Sequence, residues 1–378
     1  MENWKDQLRN SIRTIDDLKK RVDLAEEEEK MLAEAIETFP MQVTPYYFNL
    51  INWDDPNDPI RREILPSIEE LSVAGSLDPS KESTITRLRG VQHKYRQTAL
   101  FLVSNKCASY CRFCFRRRLK VYGSTDQVIE TQEQLDDALG YVRDHKEIDN
   151  VLLSGGDPLM LSNGWLDTIL EGLRTIEHVK MIRIGTRTPV FLPQRIIEDD
   201  EFREIIAKHN REDSRIYFVV HYNHVREVTG EAITALRMLG EIGVILRNQT
   251  VLTKGVNDNP EAIRDLFNKL SNVGVTPYYM FQCRPVQGGK YFQVPLKEGY
   301  RIFEEAKKGM SGLAKTAKYI MSHTSGKVAI VGIEDNRIFF KYHQAKNPND
   351  IGKFFSLPLK EDAYWLDDLL EEPVTISK

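Results

Sequence analysis

The sequence predicts an α/β protein whose centre is a partial barrel of six strands ringed by helices. Six apolar runs typical of strands occupy residues 99–104, 150–154, 180–186, 215–222, 244–252 and 276–283. Amphipathic stretches typical of helices separate them, at 130–145, 164–176, 193–210, 225–242 and 260–273. This alternation requires right-handed crossovers and a parallel sheet. A doubly wound open sheet would fit too, but polar residues end nearly every run, which favours a TIM-like partial (β/α)6 barrel.

Composition excludes several classes of protein. The chain has 378 residues, of which 41% are hydrophobic and 29% charged, and this is enough for one large core. A formal net charge of −4 gives no reason to expect a nucleic-acid partner. Four cysteines do not form a disulfide scaffold in a chain of this length. Neither a signal peptide nor a membrane-spanning run is recognisable, so we predict a cytoplasmic protein without a membrane partner.

Three segments are predicted along the chain. Residues 1–92 form an N-terminal helical and irregular segment, beginning with one helix that ends at Pro40. Residues 93–317 form the barrel core. Residues 318–378 form an extension with a β-hairpin turning at 334–336 and an acidic helix over 359–372, and we expect it to cap the barrel mouth.

A cysteine loop follows the first barrel strand, and its spacing C-x3-C-x2-C predicts an iron–sulfur site. Three thiolates can ligate three irons of a four-iron cluster and leave the fourth open to a chelating ligand. A structural zinc site or inert thiols would be the alternatives, but zinc sites usually need four ligands in two close pairs, and Cys283 is remote. Neighbouring arginines are expected to favour the thiolate form. The cysteines are Cys107, Cys111 and Cys114, and the arginines are Arg112, Arg116, Arg117 and Arg118.

Other polar residues end the predicted strands, and each has an ordinary structural explanation as well as a functional one. The Gly155-Gly156 pair lets backbone approach a ligand. Thr186 and Arg187 can bind an anion at the end of the third run. Lys327 follows a small flexible turn, from which a desolvated lysine can reach an aldehyde cofactor.

The run CASYCRFCFRRR resembles the radical S-adenosylmethionine (SAM) superfamily, and within it the lysine 2,3-aminomutase family. The runs SGGDPL, RIGTRTPVFLPQRI, HYNH and NQTVL resemble the same family, and the resemblance covers residues 40–340. It implies a barrel of the radical SAM type, a 4Fe-4S cluster, S-adenosyl-L-methionine and pyridoxal 5′-phosphate (PLP). The implied reaction moves an amino group from the α-carbon to the β-carbon of an amino acid, after a deoxyadenosyl radical removes a β-hydrogen.

The resemblance also implies roles for individual residues. Cys107, Cys111 and Cys114 would hold the cluster, and Arg116 would bind the substrate α-carboxylate. PLP would be bound by Lys327, Tyr95 and Lys94, although the family has arginine at the position of Lys94 and a longer glycine run before the lysine. The residues implied for SAM are Phe113, Ser154, Gly155, Gly156, Asp157, His221 and Gln249.

The resemblance bears on partners as well. It implies a one-electron donor such as flavodoxin or ferredoxin, and a homo-oligomer is possible. The structural zinc site of the family is not expected, because no cysteine follows Cys283.

Two positions in the sequence predict that the substrate is an acidic amino acid, with glutamate as the first candidate. The family's lysine enzymes carry two aspartates that hold the distal ammonium, and this chain has Arg284 at one position and about Met321 at the other. Arg284, aided by His323, would bind a carboxylate. If Arg284 instead pairs with a structural carboxylate, a basic substrate stays open.

We therefore predict a radical SAM, PLP-dependent 2,3-aminomutase for an acidic amino acid. The alternatives are a lysine 2,3-aminomutase, a relative that modifies the lysine precursor of a translation factor, and a radical SAM enzyme without PLP. A non-catalytic iron–sulfur or zinc protein is the alternative outside enzymes.

Overall fold

The computed structural model describes residues 3–121 and 127–370 and contains one sheet of twelve strands in chain order. The strands are β1 (Thr86–Leu88), β2 (Val91–Tyr95), β3 (Thr98–Ser104), β4 (Asn150–Gly155), β5 (Met181–Thr186), β6 (Ile216–His221), β7 (Ile245–Leu252), β8 (Thr276–Gln282), β9 (Lys318–His323), β10 (Gly326–Glu334), β11 (Arg337–Ala345) and β12 (Phe354–Pro358).

Strands β3 to β8 are the parallel centre of the sheet, and they match the six predicted runs. Each pairs in parallel with the next. Strands β1 and β2 add to β3 in antiparallel fashion, and β9 pairs in parallel with β8. Among the described residues the first and last strands do not pair, so the sheet stays open. The predicted partial barrel is confirmed.

Helices cover the outside of the sheet. They are α1 (Trp4–Arg9), α2 (Ile15–Lys19), α3 (Glu26–Thr38), α4 (Pro45–Phe48), α5 (Pro59–Ile64), α6 (Arg118–Val121), α7 (Gln132–Asp144), α8 (Asn163–Arg174), α9 (Thr188–Phe191), α10 (Gln194–Ile197), α11 (Asp200–His209), α12 (Gly230–Glu241), α13 (Pro260–Asn272), α14 (Leu296–Lys308) and α15 (Leu366–Leu369). Short 3-10 turns lie at Ile68–Leu71, Glu82–Thr84, Pro158–Met160, Val225–Glu227, Lys290–Phe292, Ala314–Thr316 and Pro348–Asp350.

The sequence explains why the crossover helices form and pack where they do. Ser162, Thr229 and Asn259 cap α8, α12 and α13 by accepting hydrogen bonds from backbone N–H groups of the first turn. In α13 the buried residues recur at helical spacing, from Ile263 to Leu270. That spacing places one apolar face against the sheet, as it does in amphipathic helices generally.

The N-terminal segment differs from the expectation of one long helix. Asn3 and Thr14 each begin a short helix with a capping box, and a β-bridge between Ile12 and Val43 separates α1 from α2. The helix that ends near Pro40 is only α3. Capping side chains compete with helix continuation, so the apolar spacing predicted helix correctly but not its continuity.

The C-terminal extension continues the sheet. Asp335 and Asn336 have φ values of 46° and 58°, as a two-residue hairpin turn requires, and the predicted hairpin is confirmed. Strand β12 was not predicted, and the described part of the predicted acidic helix is helical only in α15. Because β2 to β3 and β8 to β9 are hydrogen-bonded, the sheet is continuous across both predicted boundaries, and the three-segment division stays a prediction.

The described helices include none with the length and apolar character needed to cross a membrane.

Candidate active site

A cavity of about 340 Å³ lies inside the partial barrel and brings together most of the residues that the sequence singled out. Thr98, at the start of β3, and Cys107, just beyond its end, both line it, so the cavity runs the length of that strand. We call the part lined by Cys107, Cys111 and Cys114 the cysteine end. We call the part lined by Lys94, Tyr95, Arg284 and Lys327 the lysine end.

All three loop cysteines are free thiols on the cavity wall, whereas Cys283 is not part of that wall. Cys283 is buried in a small apolar cluster with Phe113, Val256 and Phe292. Its environment raises the pKa of its thiol to about 12, because burial disfavours the charged form. The loop therefore offers three sulfur ligands to one cavity, and the fourth cysteine has a packing role.

The arginines of the cysteine loop pair mainly with two buried carboxylates. Arg112 forms a two-point ion pair with Glu70 at 2.8 Å, and Arg117 approaches the same carboxylate at 3.3 Å. Arg116 and Arg118 both pair with Glu82. Arg117 also attracts the charged form of Cys114, so the predicted effect on the thiolates is found for Arg117, while the other three arginines face carboxylates.

Two other cations approach the sulfurs as well. Arg187 donates from Nη1 to Cys111 Sγ at 3.0 Å. The Lys120 ammonium acts on Cys107 and partly opposes the burial that raises the pKa of that thiol. The cation that reaches Cys111 thus comes from the end of β5, not from the loop itself.

The Gly-Gly turn after β4 packs on the backbone that leads into the cysteine loop. Gly155 has a φ of 118°, which favours glycine, and a Cβ there would lie 2.3 Å from the Ser104 carbonyl oxygen. A Cβ on Gly156 would lie 2.3 Å from the Lys106 carbonyl oxygen. The turn is held by Gly156 N–H donating to Ser104 O at 2.5 Å. Both glycines are therefore required by close backbone contact.

The Asp157 carboxylate is occupied by its own surroundings. It accepts from the Thr186 hydroxyl and the Arg187 N–H at 2.8 Å and from the Leu159 N–H at 3.0 Å. Asp157 thereby fixes the end of β5 against the Gly-Gly turn. Ser154 also lines the cavity, and its hydroxyl accepts from Arg116 at 2.9 Å.

His221 and Gln249 lie side by side on β6 and β7 and face the cavity with Phe113. The His221 Nε2 lies 2.9 Å from the Asn223 side-chain oxygen, so Nε2 carries the hydrogen. Burial lowers the pKa of His221 to about 3, which leaves a neutral imidazole. The Phe113 and His221 ring centroids are 5.6 Å apart.

Lys327 projects into the lysine end from β10. Its Nζ lies 4.6 Å from the centroid of the Tyr279 ring and 5.9 Å from that of Tyr95. Burial, assisted by the charges of Arg183 and Arg284, lowers the pKa of its ammonium to about 7. A substantial part of this amine is therefore neutral and nucleophilic near pH 7.

Several polar atoms at the lysine end are buried without a partner among the described residues. They include the Tyr95 hydroxyl, Arg183 Nε and Arg284 Nε. Arg284 lies over the Phe115 ring at 3.7 Å, and within residues 3–121 and 127–370 no carboxylate pairs with it. Burial and the charge of Arg116 lower its pKa to about 10. Such groups are costly to bury unless a ligand completes them.

Comparison with known proteins identifies the family. A model of the radical SAM superfamily matches residues 101–267. The chain is 42% identical over 361 residues to a protein named putative L-lysine 2,3-aminomutase from Aquifex aeolicus, covering 95% of this chain and 96% of that one. It is 39% identical to L-lysine 2,3-aminomutase of Clostridium subterminale, covering 82% and 73%. It is 35% identical to glutamate 2,3-aminomutase of Clostridioides difficile, covering 86% and 75%.

The chain belongs to the lysine 2,3-aminomutase family of radical SAM enzymes. Membership makes it an isomerase and implies a 4Fe-4S cluster, SAM and PLP as cofactors. The lysine end fits PLP, because a neutral amine, a buried hydroxyl without a partner and several cations suit an aldehyde and a phosphate. The cysteine end offers the sulfur ligands that the cluster requires.

Two expectations about the substrate side of this aminomutase are wrong. Met321 is fully buried in the core, and its neighbour Ser322, which lies opposite Lys327, lines the cavity in its place. His323 does not reach the cavity, because its ring bonds to Asp367 at 3.1 Å and to Ser325 at 2.7 Å. The residue of this strand that faces the cavity is therefore Ser322, which is uncharged.

Sequence reasoning missed Arg183 and Tyr279, which flank Lys327. Arg183 had a visible signal, because it interrupts the apolar run of β5 at a position that alternates with buried Ile182 and Ile184. A charged residue on the inner face of a barrel strand is a binding candidate. Tyr279 had no such signal within an aromatic run.

The cavity wall of the aminomutase carries far more positive than negative charge. In the part of the chain that the structure describes, the wall has two carboxylates, Glu82 and Asp157, and both are bonded to protein groups. The same part of the chain gives it seven cationic side chains, which are Lys94, Arg116, Lys120, Arg183, Arg187, Arg284 and Lys327. The cavity is thus suited to several anionic groups at once.

Proposed function

We propose that this protein is a radical SAM, PLP-dependent 2,3-aminomutase for an acidic amino acid, with glutamate the first candidate. The observation that carries the proposal is the Arg284 guanidinium, which faces the cavity with no carboxylate partner among the described residues. An external one-electron donor of the flavodoxin or ferredoxin type would supply the electron.

At the cysteine end, we assign Cys107, Cys111 and Cys114 as the cluster ligands. Phe113, His221 and Gln249 would line the SAM site, with Ser154 and the backbone of Gly155 and Gly156 beside them. The neutral His221 keeps Nδ1 as an acceptor, because Nε2 donates to Asn223. Asp157 would act on SAM only through the turn that it holds, since its carboxylate is already bonded.

At the lysine end, we assign Lys327 as the lysine that links to PLP. When bound, PLP supplies an aldehyde for the amino group and a conjugated ring that delocalises an unpaired electron. The Tyr95 hydroxyl and the cations Lys94 and Arg183 would hold the phosphate. Lys94 already donates to the His323 carbonyl oxygen at 2.5 Å, which orients its ammonium.

Each of two arginines would bind one of the two carboxylates of the substrate. Glu82 and Ser154 orient Arg116, which would take the α-carboxylate. Arg284 would take the side-chain carboxylate. An ammonium about 4 Å from a guanidinium would be repelled by roughly 4 kcal/mol at an effective dielectric near 20, which opposes a lysine substrate.

Lysine is the second candidate, because the relatives with the higher identities are named as lysine enzymes. Those identities reflect the whole chain, whereas the positive charge of Arg284 and the uncharged Ser322 would face the substrate side chain directly. The charge at this end of the cavity therefore favours an acidic substrate.

The test is an anaerobic assay of free glutamate, aspartate and lysine with SAM, PLP and dithionite, read by mass and chromatography of the products. Borohydride reduction and peptide mapping of the PLP-loaded protein should mark Lys327 and not Lys94. SAM cleavage without any label would instead indicate a radical SAM enzyme without PLP. Absence of both SAM cleavage and label would indicate a non-catalytic metal protein.

A further inference from the structure

A buried ionic network lies behind Cys111 and centres on Arg187. While Nη1 of Arg187 donates to Cys111 Sγ at 3.0 Å, its Nη2 donates to Glu63 at 2.7 Å and to Glu227 at 2.6 Å. The Arg187 side chain is 7% exposed, and both glutamate side chains are fully buried. The guanidinium is therefore confined between the sulfur and the two carboxyl groups.

The surroundings fix the orientation of Arg187. Its N–H donates to Asp157, and its guanidinium carbon lies 5.2 Å and 4.7 Å from the ring centroids of Phe113 and Phe191. The Tyr47 hydroxyl donates a hydrogen bond to Glu227 at 2.7 Å and so holds that carboxylate in place. This arrangement differs from that of the loop arginines, whose charges face Glu70 and Glu82.

We propose that Arg187 is a positioning residue that raises the reduction potential of the cluster through its hydrogen bond to Cys111, with the negative charge of Glu227 limiting that effect. This inference rests on the proposed cluster site. Reduction moves one electron from a low-potential one-electron donor to the cluster, and no proton needs to move. The added negative charge strengthens the N–H···S contact, so a fixed cation at the sulfur stabilises the reduced form.

The same geometry predicts opposite effects on the two sides of the network. Arg187→Met removes the donor and the positive charge and should make the midpoint potential more negative. Glu227→Gln removes a negative charge while keeping hydrogen-bonding atoms, and should make it more positive. We expect at least a tenfold change in the reduction equilibrium for Arg187→Met, which is about 59 mV for one electron.

The experiment is a redox titration of the anaerobic, cluster-loaded protein, followed by electron paramagnetic resonance of the reduced cluster. The matched control is Arg195→Met, which removes another buried arginine, paired with Asp199 at 2.6 Å and not part of the cavity wall. It should leave the potential of the wild type unchanged. Iron and sulfide content are measured for each variant.

Different failures have different meanings. If wild type binds no cluster, the proposed function fails. If wild type is loaded and Arg187→Met shows an unchanged or more positive potential, or if Arg195→Met shifts it equally, the role of Arg187 is wrong. Should Arg187→Met not fold, Arg187→Lys and Glu227→Gln decide. Midpoint potentials that shift in opposite directions in these two variants support the inference, and an unchanged potential in both overturns it.

Discussion

The two ends of the cavity differ in whether their cationic side chains have carboxylate partners. At the cysteine end, four loop arginines are held by the buried carboxylates Glu70 and Glu82. At the lysine end, Arg284 and Lys327 have no ion-pair partner among the described residues. A buried charge is costly unless it is paired. We therefore expect the first set of charges to be balanced by folding itself, and the charge of Arg284 to be balanced by an anionic ligand.

This difference separates cations that already have a carboxylate partner in the protein from a cation that has none, which a sequence does not do. Arg116 and Arg284 would both have been read as carboxylate receptors from their types alone. The structure shows one oriented by Glu82 and the other stacked on Phe115 without a carboxylate.

The largest effect is expected from the cysteines themselves. Cys111→Ala should abolish iron binding at the proposed cluster and all SAM cleavage, because three sulfurs within residues 3–121 and 127–370 face the cavity and a cluster needs all of them. Cys283→Ala is the control, since that thiol packs with Phe113 and Phe292 outside the wall. Iron content and deoxyadenosine formation are the measurements. Equal iron loss in both variants would show that the three-cysteine site is incorrectly assigned.

The next effect tests the cations that already have a carboxylate partner. Glu70→Ala leaves Arg112 and Arg117 buried without their carboxylate and should lower the free energy of unfolding by about 3–5 kcal/mol. Glu298→Ala breaks an exposed pair with Arg301 and should cost no more than about 1 kcal/mol. Urea denaturation followed by circular dichroism measures both. Similar losses in the two variants would contradict a structural role for Glu70.

A smaller effect concerns the pH dependence at the lysine end. The pKa of Lys327 is lowered to about 7, so its neutral fraction rises as pH rises and levels off above that value. PLP capture should therefore increase about tenfold per unit below pH 7 and little above it. Absorbance of the bound cofactor gives the rate. A rate that kept rising to pH 10 would indicate an ordinary exposed lysine.

The same pH profile, measured for Arg183→Gln, tests which groups lower the pKa of Lys327. Arg183 is the largest single charge that lowers the pKa of Lys327, after burial itself. Its removal should move the inflection toward higher pH and, because Arg183 would also hold the phosphate, lower the rate of PLP capture at every pH. An unchanged inflection would mean that burial alone controls this amine.

Local patterns were sufficient for the barrel strands and for the cysteine loop, and insufficient for contacts between remote segments. Buried parallel strands are continuous apolar runs, which is why β3 to β8 were visible. Arg112 meets Glu70 across 42 residues and Arg116 meets Glu82 across 34, and no local pattern encodes such pairs. The choice between Met321 and Ser322 depended on the register of β9 against β10.

The most direct test of an acidic substrate held by Arg284 compares kcat/KM for glutamate and lysine in the wild type and in Arg284→Gln. We predict that the wild type prefers glutamate. Loss of a charged hydrogen-bond partner, worth about 3 kcal/mol, should lower glutamate turnover by on the order of a hundredfold in the variant. PLP content should stay unchanged. Efficient lysine turnover by the wild type, or full glutamate turnover by Arg284→Gln, would contradict the claim that Arg284 at the lysine end awaits an anionic ligand.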